Sequence, residues 1–314
     1  MDHMIEQFYK ELNRHYAAGH MDAVEQFLRK SGRHYRPCCG GFSPIYLAVL
    51  SELGSFYRGT SRYAASVEAF NAAGRIIEEF IGPKSVEYAT NINNLAGTYR
   101  LMGENDKSIN LFNQAFEIYR TTIGTDNYLY ASALNNAGLL YQSMADFEKA
   151  IDCLEQALAI LKQLGAFEEN VATTYSNLAV AYEKTGRYDQ AQEALRQALE
   201  RFESLPKGSP HYAAALNLSA GFAYNAGDYE TAAATYLKTL QEVGRFFGHN
   251  IEYGITCNSL KQTHEKLGNY EEAEKYLQKA AAIYEEVYGP NHPATAKALA
   301  DLKELNSKTG QCEL

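Results

Sequence analysis

Apolar and small residues recur along the chain at helical spacing, in pairs of segments separated by short polar turns. Between Val86 and Met102 the apolar positions fall three and four residues apart, which predicts a helix. The turn at Gly103 interrupts this pattern, because glycine adopts backbone conformations that other residues resist. A second amphipathic stretch from about Asp106 to Thr121 predicts a second helix. The pattern therefore predicts a helix–turn–helix unit.

The same unit recurs through almost the whole chain. Counted from Gly103, Tyr99 lies four residues earlier, Ala96 seven earlier and Ser108 five later, and similar residue types recur at these offsets. The equivalent turn positions are separated by 41 or 42 residues, and they are residues 19, 61, 103, 145, 186, 227, 268 and 310. A step this constant indicates a repeat array, in which each helix pair is buried by its neighbours.

The amino-acid composition limits the kinds of protein and partner that the chain can represent. With 46% hydrophobic and 21% charged residues, the 314-residue chain is typical of a folded protein. No run of about 18 apolar residues predicts a membrane span, and the charged start MDHMIEQFYKELNRHY is not typical of a secretory signal. A net charge of −9 disfavours a nucleic-acid partner, which needs a basic surface. Five cysteines without framework spacing indicate reduced thiols and a cytoplasmic location.

The stretch from Leu178 to Ala191, LAVAYEKTGRYDQA, resembles the tetratricopeptide repeat at every signature position. The 41–42 residue step and the linker YGPNHPATA, which starts at Tyr288, are similar to the kinesin light chain type of this repeat. The resemblance implies an all-α, right-handed superhelical solenoid of helix–turn–helix repeats. We expect one repeat domain over residues 1–314, with a degenerate capping repeat and loop over 1–45, six repeats over 46–290, and a capping helix and tail over 291–314.

Catalytic and metal-binding patterns are absent from the sequence. It contains no GxxxxGK, GxSxG or HExxH motif, so we expect no enzyme, no cofactor and no metal site. The irregular insertion over residues 33–44 contains Cys38 and Cys39. Adjacent thiols point apart and converge poorly on one ion, so we expect a structural or incidental role for this pair.

Asparagine recurs nine and ten residues before the turn position, although it is a poor helix former. The family resemblance implies that these positions face the concave groove, where an amide can pair with both polar groups of a peptide backbone. Alternatively, the amides bond a neighbouring helix and hold the stack together. The predicted peptide-binding residues are Asn93, Asn94, Arg100, Asn135, Asn136, Gln142, Asn177, Lys184, Asn217, Tyr224 and Asn258.

These observations predict a protein-interaction scaffold or adaptor that binds an extended peptide or protein segment in the groove lined by first helices. They predict neither a nucleic-acid nor a membrane partner, and they leave the oligomeric state open. One alternative is a sensor of small signalling peptides, which would resemble bacterial peptide-responsive regulators. Residues 1–45 are too short for the output domain that those regulators carry. A third alternative is an enzyme with a site that no motif reveals.

Overall fold

The computed structural model describes residues 3–17, 21–38, 41–165, 167–205, 209 and 211–309. Across these ranges the protein contains fifteen α-helices and no β-strand, so the predicted all-α fold of helix–turn–helix repeats is confirmed. The chain divides into two compact units, Met1–Ala194 and Leu195–Leu314. The single repeat domain over residues 1–314 stays a prediction.

The helix bounds follow the sequence pattern closely. The first unit contains α1 (His3–Ala17), α2 (Met21–Tyr35), α3 (Pro44–Gly59), α4 (Tyr63–Phe80), α5 (Val86–Leu101), α6 (Asn105–Thr122), α7 (Tyr128–Ser143), α8 (Phe147–Leu164) and α9 (Glu168–Lys184). The boundary between the units falls in α10 (Tyr188–Ser204). The second unit contains α11 (Tyr212–Asn225), α12 (Tyr229–Phe247), α13 (Ile251–Lys266), α14 (Tyr270–Tyr288) and α15 (Pro293–Thr309).

Two layers of helices form the first unit. Each helix from α1 to α9 packs against the next, and the first helices of successive repeats, α1, α3, α5, α7 and α9, also contact one another. We call these five the first-helix layer; the second helices α2, α4, α6 and α8 each pack between two of them. In the second unit, α11 to α15 pack in the same consecutive order. Every functional position can therefore be assigned to a layer from its place in the repeat.

The turn inside each repeat has one geometry. The six turn residues Ser61, Gly103, Ala145, Gly186, Gly227 and Gly268 all have positive φ, between 59° and 81°. In each turn the next residue donates its backbone N–H to the carbonyl five residues earlier, as Glu104 does to Tyr99 at 3.0 Å. This is the Schellman arrangement, which satisfies carbonyls at a helix end. The predicted equivalence of the turns is confirmed, whereas turn positions 19 and 310 lie outside the described residues.

Small residues around the turn permit close approach of the two helices of a repeat. A Cβ atom on Gly54 would lie 2.7 Å from the Phe70 ring, and one on Gly138 would lie 2.7 Å from Cγ of Leu154. At the position of Gly54, the next repeat has the fully buried Ala96, whose carbonyl accepts a 2.9 Å hydrogen bond from Ser108 Oγ. Larger side chains at these positions would force the helices apart.

The repeated linkers cap the first helices. In α3, α5, α7 and α13 the side chain of the N-cap residue accepts a hydrogen bond from the backbone N–H of the tyrosine three residues later, at 3.0–3.3 Å. These cap–tyrosine pairs are Ser43–Tyr46, Ser85–Tyr88, Asn127–Tyr130 and Asn250–Tyr253. Because the first N–H groups of a helix have no intrahelical acceptor, such a cap defines where the helix starts.

The predicted loop over residues 33–44 is wrong at both ends. Helix α2 continues to Tyr35 and α3 starts at Pro44, because Tyr35 packs against the apolar cluster that contains Phe8 and Leu28. Cys38 is exposed, and Cys39 lies outside the described residues. Within the described ranges, no helix combines the length and apolarity needed to cross a membrane, and no three metal-binding side chains cluster.

Candidate functional site

The predicted asparagines lie in the first-helix layer, and several bond to one another across adjacent repeats. The Nδ2 atom of Asn177 on α9 donates to Oδ1 of Asn135 on α7 at 3.1 Å. One repeat earlier, Nδ2 of Asn136 lies 3.5 Å from Oδ1 of Asn93 on α5. These contacts match the alternative in which amides hold neighbouring helices together. A ligand contact by these four residues stays a prediction.

A second set of cross-repeat bonds comes from long side chains three residues before the turn. Nε2 of Gln142 donates to the backbone carbonyl of Asn177 at 2.7 Å, and Nη1 of Arg58 donates to that of Asn94 at 3.0 Å. A Cβ atom on Gly97 would lie 3.1 Å from Nη1 of Arg58, so this glycine makes room for the guanidinium. The bonds hold Arg58 and Gln142 in fixed positions within the first-helix layer.

Arg58 and Arg100 form a half-buried pair of cations on α3 and α5. Burial lowers the pKa of both guanidinium groups, and the charge of Arg100 lowers the pKa of Arg58 further. Arginine titrates so far above neutral pH that both groups keep their charge. Among the described residues, no carboxylate forms an ion pair with either side chain. The pair therefore offers positive charge to an anionic group of a ligand.

A cleft of about 310 Å³ opens next to Asn94, between α3 and α5. Its lining residues are Tyr9, Pro44, Leu47, Ala48, Ser51, Ile77, Val86, Glu87, Thr90, Asn91 and Asn94. Asn91 is only 5% exposed; its Nδ2 donates to the carbonyl of Phe70 at 3.0 Å, but its buried Oδ1 has no partner. Buried acceptors in proteins are nearly always paired, so this atom is one of the few exceptions among the described residues.

The sequence pattern did not predict Asn91, because the predicted asparagines all lie nine or ten residues before the turn and Asn91 lies twelve before it. Gly74, inside α4, could have indicated this site, because a glycine in a helix interior lowers helix stability but leaves space for a neighbouring side chain. A Cβ atom on Gly74 would lie 3.1 Å from Nδ2 of Asn91. The glycine thus lets the amide approach the α4 backbone.

An acidic group lies on the same layer. Glu52 on α3 is half-buried and lies close to the hydroxyl of Tyr9 on α1. Burial raises the pKa of Glu52, and the neighbouring Tyr9 hydroxyl opposes that rise. Burial and the nearby Glu52 carboxylate together raise the pKa of Tyr9 to about 12. The layer therefore contains a carboxylate on α3 as well as the cationic pair.

The remaining predicted residues do not join this cleft. Lys184 is exposed on α9, with its Nζ 3.9 Å from the Glu183 carboxylate. In the second unit, Oδ1 of Asn217 is buried without a partner among the described residues, and Tyr224 packs edge-on against Tyr229 at 5.3 Å. Asn258 is half-buried on α13. A contact of these residues with a ligand stays a prediction.

Several solved structures share this fold at low identity. A Rap protein in complex with competence and sporulation factor has a TM-score of 0.66 and 15% identity, and the match covers 98% of this chain and 86% of that chain. BtubC (BKLC) from P. vanneervenii has a TM-score of 0.54 and 23% identity over 63% and 79%. A putative kinesin light chain with nearly identical repeats from Podosopora anserina has a TM-score of 0.51 and 19% identity over 63% and 94%. At these identities the likeness shows the fold alone.

The sequence matches no curated protein, but it matches a known repeat family. The tetratricopeptide repeat family matches residues 46–121, 89–163, 129–204 and 254–314. Another form of the same repeat matches residues 176–244. These ranges cover more than half of the chain, and they coincide with the helix pairs and turns described above. The chain therefore belongs to the tetratricopeptide repeat family.

Proposed function

We propose that this protein is an interaction scaffold that holds an extended peptide segment of a partner protein against the first-helix layer. The observation that carries the proposal is the half-buried side-chain amide of Asn94 at the cleft between α3 and α5, which makes no hydrogen bond to the described residues. An amide can both donate to and accept from a peptide backbone. Beside it lies Asn91, whose Oδ1 is buried without a partner among the described residues.

The cationic pair gives the ligand a charge preference. Arg58 and Arg100 lie on the helices that border the cleft and have no carboxylate partner among the described residues. A guanidinium group binds a carboxylate through two parallel hydrogen bonds, which fixes both position and orientation. We therefore expect the bound segment to place an acidic side chain or a terminal carboxylate near this pair.

The first test separates recognition from architecture with two matched asparagine variants. Peptides captured by the immobilised protein are identified, synthesised with a fluorophore and titrated by anisotropy. Asn94→Ala is expected to weaken binding about 2- to 12-fold, the loss of one neutral hydrogen bond, with an unchanged melting temperature. Asn177→Ala removes a donor to Asn135 and is expected to lower the melting temperature instead. Unchanged affinity in Asn94→Ala would count against the proposal.

A charge variant completes this test. Arg100→Met should weaken binding about tenfold or more and reduce the salt dependence of the affinity, because a charged hydrogen bond is lost. Arg75→Met is the matched control, since Arg75 is an exposed arginine on the second helix α4. Equal effects of the two variants would show that only net charge matters and would contradict a site at Arg100.

A second candidate function is a sensor of small signalling peptides. It is supported by the shared fold with a Rap protein that was solved with competence and sporulation factor. The two candidates differ in ligand length. A short free peptide should bind a sensor as tightly as a long segment does, whereas a scaffold should lose affinity as the segment is shortened. Both candidates leave the chain without a catalytic role, and we place it in the cytoplasm because its five cysteines show no framework spacing.

A further inference from the structure

A larger cleft, of about 610 Å³, lies in the first unit between α8, α9 and the start of α10, and most of its lining residues belong to the second helices α8 and α10. We call it the second-helix cleft. Its lining residues are Glu155, Leu158, Ala159, Lys162, Tyr175, Leu178, Tyr182, Asp189, Gln190, Glu193 and Ala194. Its size and its mainly apolar lining with a few polar groups are typical of ligand sites.

Smaller side chains create this cleft. At the position of Ala194, the two preceding repeats have Leu111 and Cys153, which pack against the apolar core there. At the position of Leu158, the preceding repeat has Phe116, which packs against the same core. The smaller side chains of Leu158 and Ala194 therefore leave space that larger side chains fill in the preceding repeats.

The cleft also lacks a cation that the preceding repeats supply for themselves. In each of them, a basic side chain lies over the tyrosine four residues before the turn. The distances to the ring centroid are 4.7 Å for Arg62 over Tyr57, 5.1 Å for Lys107 over Tyr99 and 5.5 Å for Lys149 over Tyr141. The equivalent tyrosine is Tyr182, and Gln190 stands where Lys107 and Lys149 would be.

Tyr182 instead bonds to an acid. Its hydroxyl donates to Oε1 of Glu155 at 2.5 Å, and no described basic side chain lies over its ring. Burial and then Glu155 raise the pKa of Tyr182, so the hydroxyl stays protonated and remains a donor. The nearby Arg187 is engaged elsewhere, because its Nη2 pairs with the Glu148 carboxylate at 2.7 Å.

The charge of the lining is acidic. Glu155, Asp189 and Glu193 contribute three carboxylates, against the single ammonium of Lys162. That ammonium lies over the ring of Tyr175 at 4.9 Å. An apolar cleft with an acidic rim is complementary to a ligand that combines an apolar body with a positive charge.

We propose that the second-helix cleft binds a basic amphipathic segment of a partner protein, with a lysine or arginine beside Tyr182 and Glu155. A neighbouring apolar side chain of the segment fills the space against Leu158 and Leu178. The basic side chain takes the place that Lys107 and Lys149 take in their own repeats. This site is lined mainly by the second helices α8 and α10, shares no residue with the cleft at Asn94 and selects the opposite charge, so it goes beyond the proposed function.

The test restores the missing lysine. The probe is a fluorescent amphipathic peptide of leucine and lysine, titrated by anisotropy against the full chain. Gln190→Lys is expected to weaken binding about tenfold, because the chain's own lysine then occupies the site and a cation–π contact and an ion pair with the probe are lost. Gln192→Lys is the matched control, since Gln192 is exposed on the same helix and lies outside the cleft, and its affinity should stay within about twofold.

Two further measurements define failure. A peptide of leucine and glutamine should bind at least about tenfold more weakly than the lysine probe. If Gln190→Lys does not fold, Glu155→Gln takes its place and must weaken the lysine probe about threefold or more. No binding of the lysine probe, or equal losses in Gln190→Lys and Gln192→Lys, would overturn the proposal. Neither result would affect the Asn94 and Arg100 test, which uses a different peptide and a different cleft of the unit.

Discussion

At the scale of single residues, identical side chains at identical repeat positions have different roles. Asn94 and Asn177 both lie nine residues before the turn, yet only Asn177 has an amide partner in the preceding repeat, Asn135. Opposite Asn94, the position equivalent to Asn135 is Ser51. The hydroxyl of Ser51 donates instead to the carbonyl of Leu47 at 3.1 Å. The amide of Asn94 consequently makes no hydrogen bond to the described residues. The residue opposite, and not the asparagine itself, determines whether the amide is paired within the array.

Glu52 allows a prediction on pH. Burial raises its pKa in the folded protein, so the folded state binds its proton more tightly than the unfolded state does. Glu52 therefore contributes its full share of stability at acid pH, and that contribution is lost as the pH rises through the pKa that Glu52 has in the folded protein. Glu52→Gln should raise the melting temperature at pH 7, and this increase should disappear as the pH falls to the ordinary pKa of glutamate. Thermal melts across pH check this, with the exposed Glu68→Gln as the control. A gain that does not vary with pH would refute the assignment.

At the scale of elements, the turn is the most uniform feature of the chain. All six turn residues adopt the left-handed backbone region, and four of them are glycine. Ala145 and Ser61, both at φ 59°, are exceptions in which a Cβ atom is held in an unfavourable conformation. The helix pairs tolerate this strain because packing on both sides over-determines the turn.

Exchanging residues at two equivalent turns tests this account. Ala145→Gly should stabilise the protein by about 0.5–1 kcal/mol, because glycine adopts positive φ without the Cβ penalty. Gly103→Ala should destabilise it by about 1 kcal/mol for the same reason. Neither site would face a steric obstacle, since a Cβ atom on Gly103 meets no other atom within 4 Å. Denaturant titrations of both variants measure the change. Shifts of the same sign would disprove the role of φ.

At the scale of the whole molecule, extensive packing joins neighbours in the chain. Within the described part of each unit, substantial contacts join a helix to the next one or to the next but one. In such an array, stability is approximately a sum of repeat and interface contributions. A defect in one repeat should therefore remain local, in contrast to a defect in a single globular core.

Ala179→Leu tests this locality. Ala179 is fully buried on α9, at the position where the preceding repeat has Gly138 against Leu154. Overpacking there should destabilise the protein by about 1–3 kcal/mol. Hydrogen exchange followed by mass spectrometry should show faster exchange in α9 and the helices adjacent to it in the chain, and little change in α1–α4. Ala64→Leu, at an exposed alanine of α4, is the control. Uniform acceleration over the whole first unit would contradict nearest-neighbour behaviour.

The sequence by itself determined the helix pairs, the turns and the family, because these depend on signals within one repeat. Helical periodicity, the turn residue and the small residues around it are local and recur at a constant step along the chain, and the six described turn residues all have positive φ. Only the tertiary structure decided which polar residues are satisfied, because that depends on the side chain opposite in the adjacent repeat. The environment of Asn91 depends on Gly74, which lies about one helix earlier in the chain. The absence of a lysine at Gln190 is seen only by comparison with Lys149 and Lys107, which lie about one and two repeats earlier. Periodicity places a residue on a face, but packing determines what meets it there.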